Sequence, residues 1–483
     1  MLKQVRAACT PLNVLLAYIA LVFAMGGGAR DDIASLVVLR PLSVGVLFYA
    51  LVIARGEAMK ANRVLLGLAG AWTALVALHL VPLPPAIWHN LPGRELAVAI
   101  DEAAGLTGQW RPISLVPYRT LNSLLSLTVP LAGLVLAVQL PRDQLRMSAY
   151  ALLALGMVSA FVSLLQVSGG GAGNPFYFYR ITNGDSAVGL FANRNHNAIL
   201  LALSIVTLGA LAALHRPSRE WQVHWRLVPG GMALALIPFL IITQSRAGLV
   251  LGVLALGAFA WLHRPQNSQY GRGQTKPAIS PRLIAGATAA AALAGVTYLF
   301  SAGNALDRLM TGGGGDDELR LAIWPVTLDL IAQHFPVGSG IGTFVEVYEA
   351  GEPASTLGAS YVNHAHNDFL EVLMTGGLPT ALIAAGGAIY LLIAGIRALR
   401  EGGGADAPLR RLGFVTLAIF AAGSLYDYPV RTPSLALHFI LALVWIAGRE
   451  AAATQSNQPA NQKVSRSSSA LKTAGGSHAE AAC

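Results

Sequence analysis

The stretch LPTALIAAGGAIYLLIAGI, residues 378–396, decides the fold class of this chain. It has no charged side chain and is about as long as an α-helix must be to cross a hydrocarbon core of ~30 Å. Similar apolar stretches recur along the 483 residues, which are 54% hydrophobic and only 12% charged, with a mean hydropathy of +0.56. Ordinary soluble domains do not have this composition. The sequence therefore predicts an all-α, polytopic integral membrane bundle.

Apolar length and spacing predict about twelve transmembrane helices. The predicted spans lie at 12–25, 33–54, 64–83, 120–140, 147–166, 197–214, 228–243, 247–262, 283–301, 378–396, 412–426 and 432–448. The large hydrophilic loop 302–377 separates spans nine and ten. Residues 1–450 are thus predicted to form one bundle. Residues 451–483, rich in Ala, Ser, Gln and Asn, are predicted to be a disordered cytoplasmic tail.

The charges of the chain indicate its orientation in the membrane. Two thirds of the Lys and Arg residues, but fewer than a third of the Asp and Glu residues, fall in the termini and loops on one side of the spans. This is the positive-inside bias, which predicts that both termini are cytoplasmic. The net charge of +9 therefore reflects topology and does not indicate a nucleic-acid partner. Cys9 and Cys483 both fall on the cytoplasmic side, so no disulfide framework is implied.

A dense polar cluster, NHAHNDFLEVLMTGG at residues 363–377, directly precedes this apolar stretch. Titratable groups at a membrane edge are costly to place, which indicates a functional site. A helix that starts at His366 and Asn367 presents free N–H groups and partial positive charge to an anion. A histidine there can also act as a general base. A capping histidine is the structural alternative, and a metal site at His364 and His366 is a weaker one.

Two outward-facing arginines are predicted near the starts of other spans. Arg194 lies within FANRNHNA, residues 191–198, just before the sixth span, and Arg246 lies within TQSRAG, residues 243–248, between spans seven and eight. The planar guanidinium group suits bidentate binding of pyrophosphate. The structural alternative is that both side chains reach toward lipid headgroups.

The other outer turns carry acids whose roles stay open. Asp31 and Asp32 are placed where a metal-dependent glycosyltransferase would hold a divalent ion near a lipid phosphate, although adjacent acids are also ordinary loop chemistry. Arg40, inside span two, is interpreted as an interior binding group or as an ion-pair partner. In the last outer turn, Asp427 and Arg431 are expected to pair with each other.

The large loop is predicted to contain a helix on the outer face of the bundle. Apolar residues between 317 and 334 recur at spacings of three and four, and Pro336 ends the pattern. Arg320 and Trp324 lie one turn apart on this helix. The following GSGIG, residues 338–342, resembles a phosphate-binding loop but follows a helix instead of a strand, so a tight turn is predicted.

These motifs resemble the O-antigen ligase superfamily of bacterial inner-membrane glycosyltransferases over about residues 185–445. The resemblance is carried by residues 191–198, 245–248, Arg320 with Trp324, 336–344 and above all 364–377. It implies that His366 is the catalytic histidine. The predicted substrate-binding residues are Arg194, Arg246, Arg320, His364, Asn367 and Arg40. After Gly377 the sequence departs from the usual ligase form, so the ligase and polymerase branches both stay open.

The resemblance implies transfer of a glycan from undecaprenyl pyrophosphate to an acceptor hydroxyl at the periplasmic face. The acceptor is a lipid A core, a growing polymer or a protein, and neither metal nor cofactor is expected. The alternatives are a transporter or flippase, a metal-dependent glycosyltransferase that uses Asp31 and Asp32, and a non-catalytic assembly protein. Secondary transporters usually show paired, interrupted helices in two halves, and the sequence shows no such symmetry.

Overall fold

The computed structural model describes residues 10–169, 173–184, 186–214, 222–263, 315–354, 357, 361–400, 404 and 406–447. Within these ranges the regular structure is helical, apart from one antiparallel pair of two-residue strands and a short 3-10 helix. The helices are α1 (Pro11–Met25), α2 (Leu36–Val52), α3 (Gly56–Ala61), α4 (Arg63–Leu78), α5 (Pro85–Trp88), α6 (Glu95–Ala103), α7 (Pro117–Ser126), α8 (Thr128–Ala137), α9 (Arg142–Ser168), α10 (Arg194–Leu214), α11 (Gln222–Ala235), α12 (Ile237–Ile242), α13 (Arg246–Leu262), α14 (Gly315–His334), α15 (Phe344–Gly351), α16 (Asp368–Arg400), α17 (Ala407–Gly423) and α18 (Pro433–Ala447). The strands are β1 (Pro82–Leu83) and β2 (Arg111–Pro112), and the 3-10 helix is Pro429–Arg431.

The predicted spans coincide with helices of the structure wherever the structure describes them. The ninth predicted span, residues 283–301, lies outside the described residues, as do the tail 451–483 and the first part of the predicted loop, residues 302–314. Four helical segments in the described ranges are long and apolar enough to cross a membrane, namely Pro117–Ala137, Arg142–Ser168, Arg194–Leu214 and Asp368–Arg400. Shorter apolar helices accompany them, so the all-α membrane fold is confirmed, and the total of twelve spans stays a prediction.

Helix α10 forms the centre of the bundle. Every side chain from His196 to Ala212 is buried, and the helix packs against α9, α13 and α17. A Cβ on Gly248 of α13 would lie only 2.3 Å from Cβ of Ala198 on α10. The missing side chain therefore allows the two helices to approach closely. This crossing brings the first turns of α10 and α13 together, and both carry predicted site residues.

Helix α16 is broken at Gly377, where φ is 60° and ψ is −154°. The break is held by the glycine turn 338–342, because Gly340 N–H donates to Thr375 O (2.8 Å) and Leu378 N–H donates to Pro336 O (2.8 Å). A Cβ on Gly338 would lie 2.6 Å from Thr375 O, so only glycine permits this approach. Residues 338–342 thus form a turn, as predicted, and the structure adds that this turn packs against the helix break.

The predicted outer helix is present as α14, and together with α15 it covers the start of α16. Ile323 and Leu330 of α14 form a small buried cluster with Tyr348 of α15 and Met374 of α16. The indole N–H of Trp324 donates to the carbonyl oxygen of Ala365 (3.0 Å). These contacts fix the backbone between the two histidines of the polar cluster.

Candidate functional site

The polar cluster is built around a buried carboxylate, Glu371. Its side chain accepts a hydrogen bond from the backbone N–H of Ala365 (3.0 Å) and contacts Nδ1 of His364 (3.1 Å). Arg431 from the last outer turn completes the contacts, with Nη1 3.0 Å from Oε1. Glu371 is 1% exposed, so these partners replace the water that would otherwise solvate its charge.

Arg431 bridges two carboxylates at the start of α16. Its Nε lies 2.8 Å from Oδ1 of Asp368, whose other oxygen accepts a hydrogen bond from Ser424 (3.1 Å). Burial alone would lower the pKa of Arg431, but Glu371 and Asp368 raise it above its ordinary value. The predicted pair between Asp427 and Arg431 is wrong, because both edges of the guanidinium group are directed at acids of α16.

Asp427 contacts His366 instead. Its Oδ1 lies 3.5 Å from Nδ1 of His366, a close electrostatic contact, and neither atom has a hydrogen-bond partner among the described residues. Its Oδ2 accepts hydrogen bonds from the side-chain amides of Asn193 (3.1 Å) and Asn195 (2.8 Å). His366 has φ of 49°, a left-handed conformation that costs energy for a residue with a Cβ and is typical of functional sites.

Asp427 stays ionised because of this environment. Burial raises the pKa of a carboxyl group, but the contacts of Asp427 with His366, His196 and Asn195 outweigh burial and hold its pKa well below the usual range. A buried anion beside Nδ1 of His366 favours the tautomer with the proton on Nδ1. The other ring nitrogen, Nε2, is then the one that can accept a proton from a bound hydroxyl group.

A hydrogen-bonded relay connects the start of α13 to Asp427. The hydroxyl group of Ser245 donates to Oδ1 of Asn195 (2.7 Å), and the amide of Asn195 donates to Asp427. Ser245 also caps α13, because its oxygen accepts from the N–H of Gly248 (2.9 Å). The motifs around Asn195, Ser245 and His366 therefore meet at one carboxylate.

A cavity of about 260 Å³ opens beside His366. Two arginines, Arg30 and Arg194, contribute to its lining, as does the ring of Tyr428. Several side-chain amides line it as well, namely those of Asn183, Asn193, Asn195 and Asn363. Guanidinium groups bind phosphate. Side-chain amides can hydrogen-bond sugar hydroxyl groups, and an aromatic ring can pack against a sugar, so the residue types of the lining suit a phosphorylated carbohydrate.

Two of the predicted site residues, His366 and Arg194, line this cavity. His364 is directed at Glu371 and packs against Tyr428, with ring centroids 4.0 Å apart. Asn367 caps α16, since its Oδ1 accepts from the N–H groups of Phe369 (3.0 Å) and Leu370 (3.2 Å). Both residues thus shape the backbone around His366.

The other predicted binding residues lie elsewhere. Arg246 is the exposed first residue of α13, next to the relay serine. Arg40 is half-buried in α2, where the charge of Asp31 acts on it. The backbone of Arg320 belongs to α14, and its side chain lies outside the described part of the structure. The roles of these three arginines stay predictions.

Asp31 and Asp32 are both engaged by arginines. Asp31 pairs with Arg119, and Asp32 pairs with Arg30 (2.9 Å) and Arg180 (3.6 Å). Within the described ranges, no group of three or more His, Cys, Asp or Glu side chains is arranged to hold a metal ion. The contacts therefore favour the structural interpretation of this acid pair.

Sequence reasoning missed Arg30 and the role of Asp427. Arg30 sits in a short glycine-rich loop next to two acids, where it looks like an ordinary surface ion-pair residue. Asp427 had a nearer charged neighbour in Arg431, which made a local pair the simplest interpretation. The signal that was available is the aromatic turn YDYPVR, residues 426–431, which places an acid between two tyrosines at the same outer end as the polar cluster.

Comparison with known proteins supports the resemblance. The family model described as O-antigen ligase matches residues 230–385, which include α13, α14 and the polar cluster but not the first turn of α10. A search of curated proteins found no match to the chain. Over residues 230–385, about a third of the chain, the protein is thus similar to the O-antigen ligase family, in agreement with the resemblance carried by the motifs within that range.

Proposed function

We propose that the protein transfers a glycan from undecaprenyl pyrophosphate to an acceptor hydroxyl group at the periplasmic face of the bacterial inner membrane. The observation that carries this proposal is the cavity in which His366, backed by buried Asp427, faces the same space as Arg194 and Arg30. Such a transfer uses a general base and positive charge near the leaving group, and Arg30 brings its charge together with its ion-pair partner Asp32. The family match supports ligase-type transfer as the reaction class.

In the proposed mechanism His366 is the general base. Asp427 holds the proton on Nδ1, and Nε2 accepts the proton of the acceptor hydroxyl group as its oxygen attacks the anomeric carbon. The new bond joins the acceptor oxygen to that carbon, and the bond from the carbon to the phosphate oxygen breaks. The electron pair leaves with the pyrophosphate, and one direct displacement inverts the configuration at the sugar carbon.

The arginines of the cavity stabilise the leaving group. Pyrophosphate leaves as an anion and needs no proton, so the principal requirement is positive charge placed near the breaking bond. Arg194 extends from the first residue of α10, where the helix dipole adds to its charge. Arg30 reaches the same cavity from the first outer loop. Arg246 and Arg320 are retained as further proposed pyrophosphate-binding residues.

Reconstitution tests this function. The purified protein in proteoliposomes, given an undecaprenyl-pyrophosphate glycan and an acceptor, is expected to form the transferred product without any other protein. The rate is expected to be unchanged by EDTA, because Asp31 and Asp32 are already neutralised by arginines. Loss of product with EDTA that Mg²⁺ restores would support the metal-dependent alternative. Transport of the lipid-linked glycan without transfer would support the flippase alternative.

Asp427→Asn is expected to lower kcat by about 10²- to 10⁴-fold with little change in KM for the donor, because an amide no longer holds the productive tautomer of His366. Asp406→Asn, a more exposed acid that pairs with Arg146, is the matched control and should leave both kcat and KM unchanged. Wild-type kcat for Asp427→Asn, or a loss that appears in KM alone, would contradict the positioning role.

A further inference from the structure

Helix α6, in the outer loop between α4 and α7, exposes its apolar side. Leu96 is 64% exposed and Ile100 is 58% exposed, and they lie one turn apart. Ala99 and Ala103 are exposed as well and extend the same stripe at helical spacing. An exposed stripe of this kind, on a helix held by its opposite side, indicates a surface that is covered in the native setting.

The opposite side of α6 carries charge. Asp101 is buried and forms a two-point ion pair with Arg111 of β2. Arg94, which precedes the helix, is fully buried and donates to the carbonyl oxygens of Pro92 (3.0 Å) and Ile113 (2.6 Å). The one side chain of α6 that is fully buried is thus a charged one, whereas its largest apolar side chains, Leu96 and Ile100, are exposed.

The stripe belongs to a larger apolar surface that continues onto the membrane helices. Leu106 follows α6, and Trp110 precedes β2 with 64% of its surface exposed. Strand β2 pairs with β1, which directly follows the exposed residues Leu78 and Val81 at the end of α4. Helix α4 packs against α7, which begins one of the candidate membrane spans. The exposed surface of α6 is therefore continuous with the lipid-facing surface of the bundle.

The position of α6 is fixed relative to the polar cluster. Arg94 also donates to the carbonyl oxygen of Gly338 (3.1 Å), in the glycine turn that holds the break of α16. The backbone N–H of Leu115, at the other end of the outer loop, donates to Ser339 O (2.9 Å). The exposed stripe therefore lies on the same side of the bundle as the candidate site.

We propose that α6 lies in the interface of the membrane leaflet on the side of the candidate site, with Leu96 and Ile100 inserted into the lipid. Amphipathic helices of this kind sink about 5–10 Å into the boundary between headgroups and acyl chains. Trp110 takes the headgroup level that exposed tryptophans favour. Glu102 stays on the aqueous flank of the helix. The bilayer is what covers the exposed side of α6, because this stripe is continuous with the lipid-facing surface of the bundle.

Spin-label accessibility in proteoliposomes of phosphatidylethanolamine and phosphatidylglycerol tests this placement. The full chain with Cys9→Ser and Cys483→Ser receives one cysteine at a time, as Leu96→Cys, Ile100→Cys or the matched control Glu102→Cys, followed by a nitroxide label. Labels at positions 96 and 100 are expected to show a several-fold higher ratio of oxygen to nickel-chelate accessibility than the label at 102. Equal ratios at all three positions would overturn the proposal.

Two further measurements distinguish contact of α6 with the bilayer from contact with a protein partner. Shielding of positions 96 and 100 in native membranes, but not in liposomes of the purified protein, would overturn the proposal in favour of a protein partner. Adding Leu96→Glu to the chain labelled at position 100 is expected to raise nickel access there, because the new charge draws the helix toward water. An unchanged ratio in that variant would also overturn the proposal. None of these readouts depends on glycan transfer.

Discussion

Replacing His366 with alanine is expected to lower glycan transfer by about 10²- to 10⁴-fold, the usual contribution of a positioned general base. The side chain lines the cavity, and its contacts among the described residues are limited to Asp427 at Nδ1 and the ring of Tyr428, 5.2 Å away between centroids. Expression and thermal stability are therefore expected to stay near wild type. The measurement is the initial rate of transfer from lipid-linked glycan in membranes or proteoliposomes with matched protein amounts.

His89→Ala is the matched control, because this histidine lies in the outer loop, packs on Trp88 and does not line the cavity. It should transfer glycan at the wild-type rate. His364→Ala should reduce transfer less than His366→Ala, and through a loss of stability, because His364 contacts Glu371. Full transfer activity in His366→Ala membranes with normal expression would remove this histidine from the mechanism.

Arg431→Met is expected to destabilise the protein by ~3–5 kcal/mol, the usual cost of removing one partner from a buried ion pair. The guanidinium group stands between Asp368 and Glu371, which are both buried, and its removal leaves two carboxylates facing each other without a cation. The thermal unfolding midpoint of the purified protein in detergent measures the effect. A midpoint equal to wild type would show that the network has no role in stability.

Two further variants test whether the stability lost in Arg431→Met comes from the uncompensated buried carboxylates. Adding Glu371→Gln to Arg431→Met should recover part of the stability, because one of the uncompensated charges is then gone. Arg180→Met removes a guanidinium group that also pairs with an acid, at 3.6 Å from Asp32, but its side chain is 85% exposed. An exposed pair contributes about 1 kcal/mol or less, so this control should unfold close to the wild-type midpoint.

The membrane helices could be predicted from the sequence because a helix that crosses a bilayer needs an uncharged stretch of defined length. Such a stretch can be recognised from consecutive residues alone. The same holds for α14, whose period and terminal proline are both visible in residues 317–336. The break in α16 falls at Gly377, between the polar cluster and the apolar run, and it was not predicted from the sequence. The burial of Asp101 in α6 could not be predicted either, because its partner Arg111 comes from a later strand.

Some residues that line the candidate cavity could be predicted from the sequence, but their contacts could be predicted only in part. His366 and Arg194 were predicted as site residues, and they share a cavity. The partners of the buried carboxylates were not predictable. Asp427 and Arg431 are close in sequence, yet Asp427 contacts His366, whereas Arg431 contacts two acids of α16. Which partner each takes depends on the crossing of α10 with α13 and on the turn between α17 and α18. Those are tertiary features that spacing along the chain does not encode.

The ring of Tyr428 contacts two histidines that have different carboxylate partners. It stands against both His364 and His366, with ring centroids 4.0 Å and 5.2 Å away, and each histidine faces a different carboxylate. In the proposed mechanism, the proton that His366 accepts is balanced by Asp427, whereas Glu371 is already paired with Arg431. The carboxylate that serves the proposed base is therefore distinct from the carboxylates that hold the start of α16, so each can be altered while the other keeps its partner.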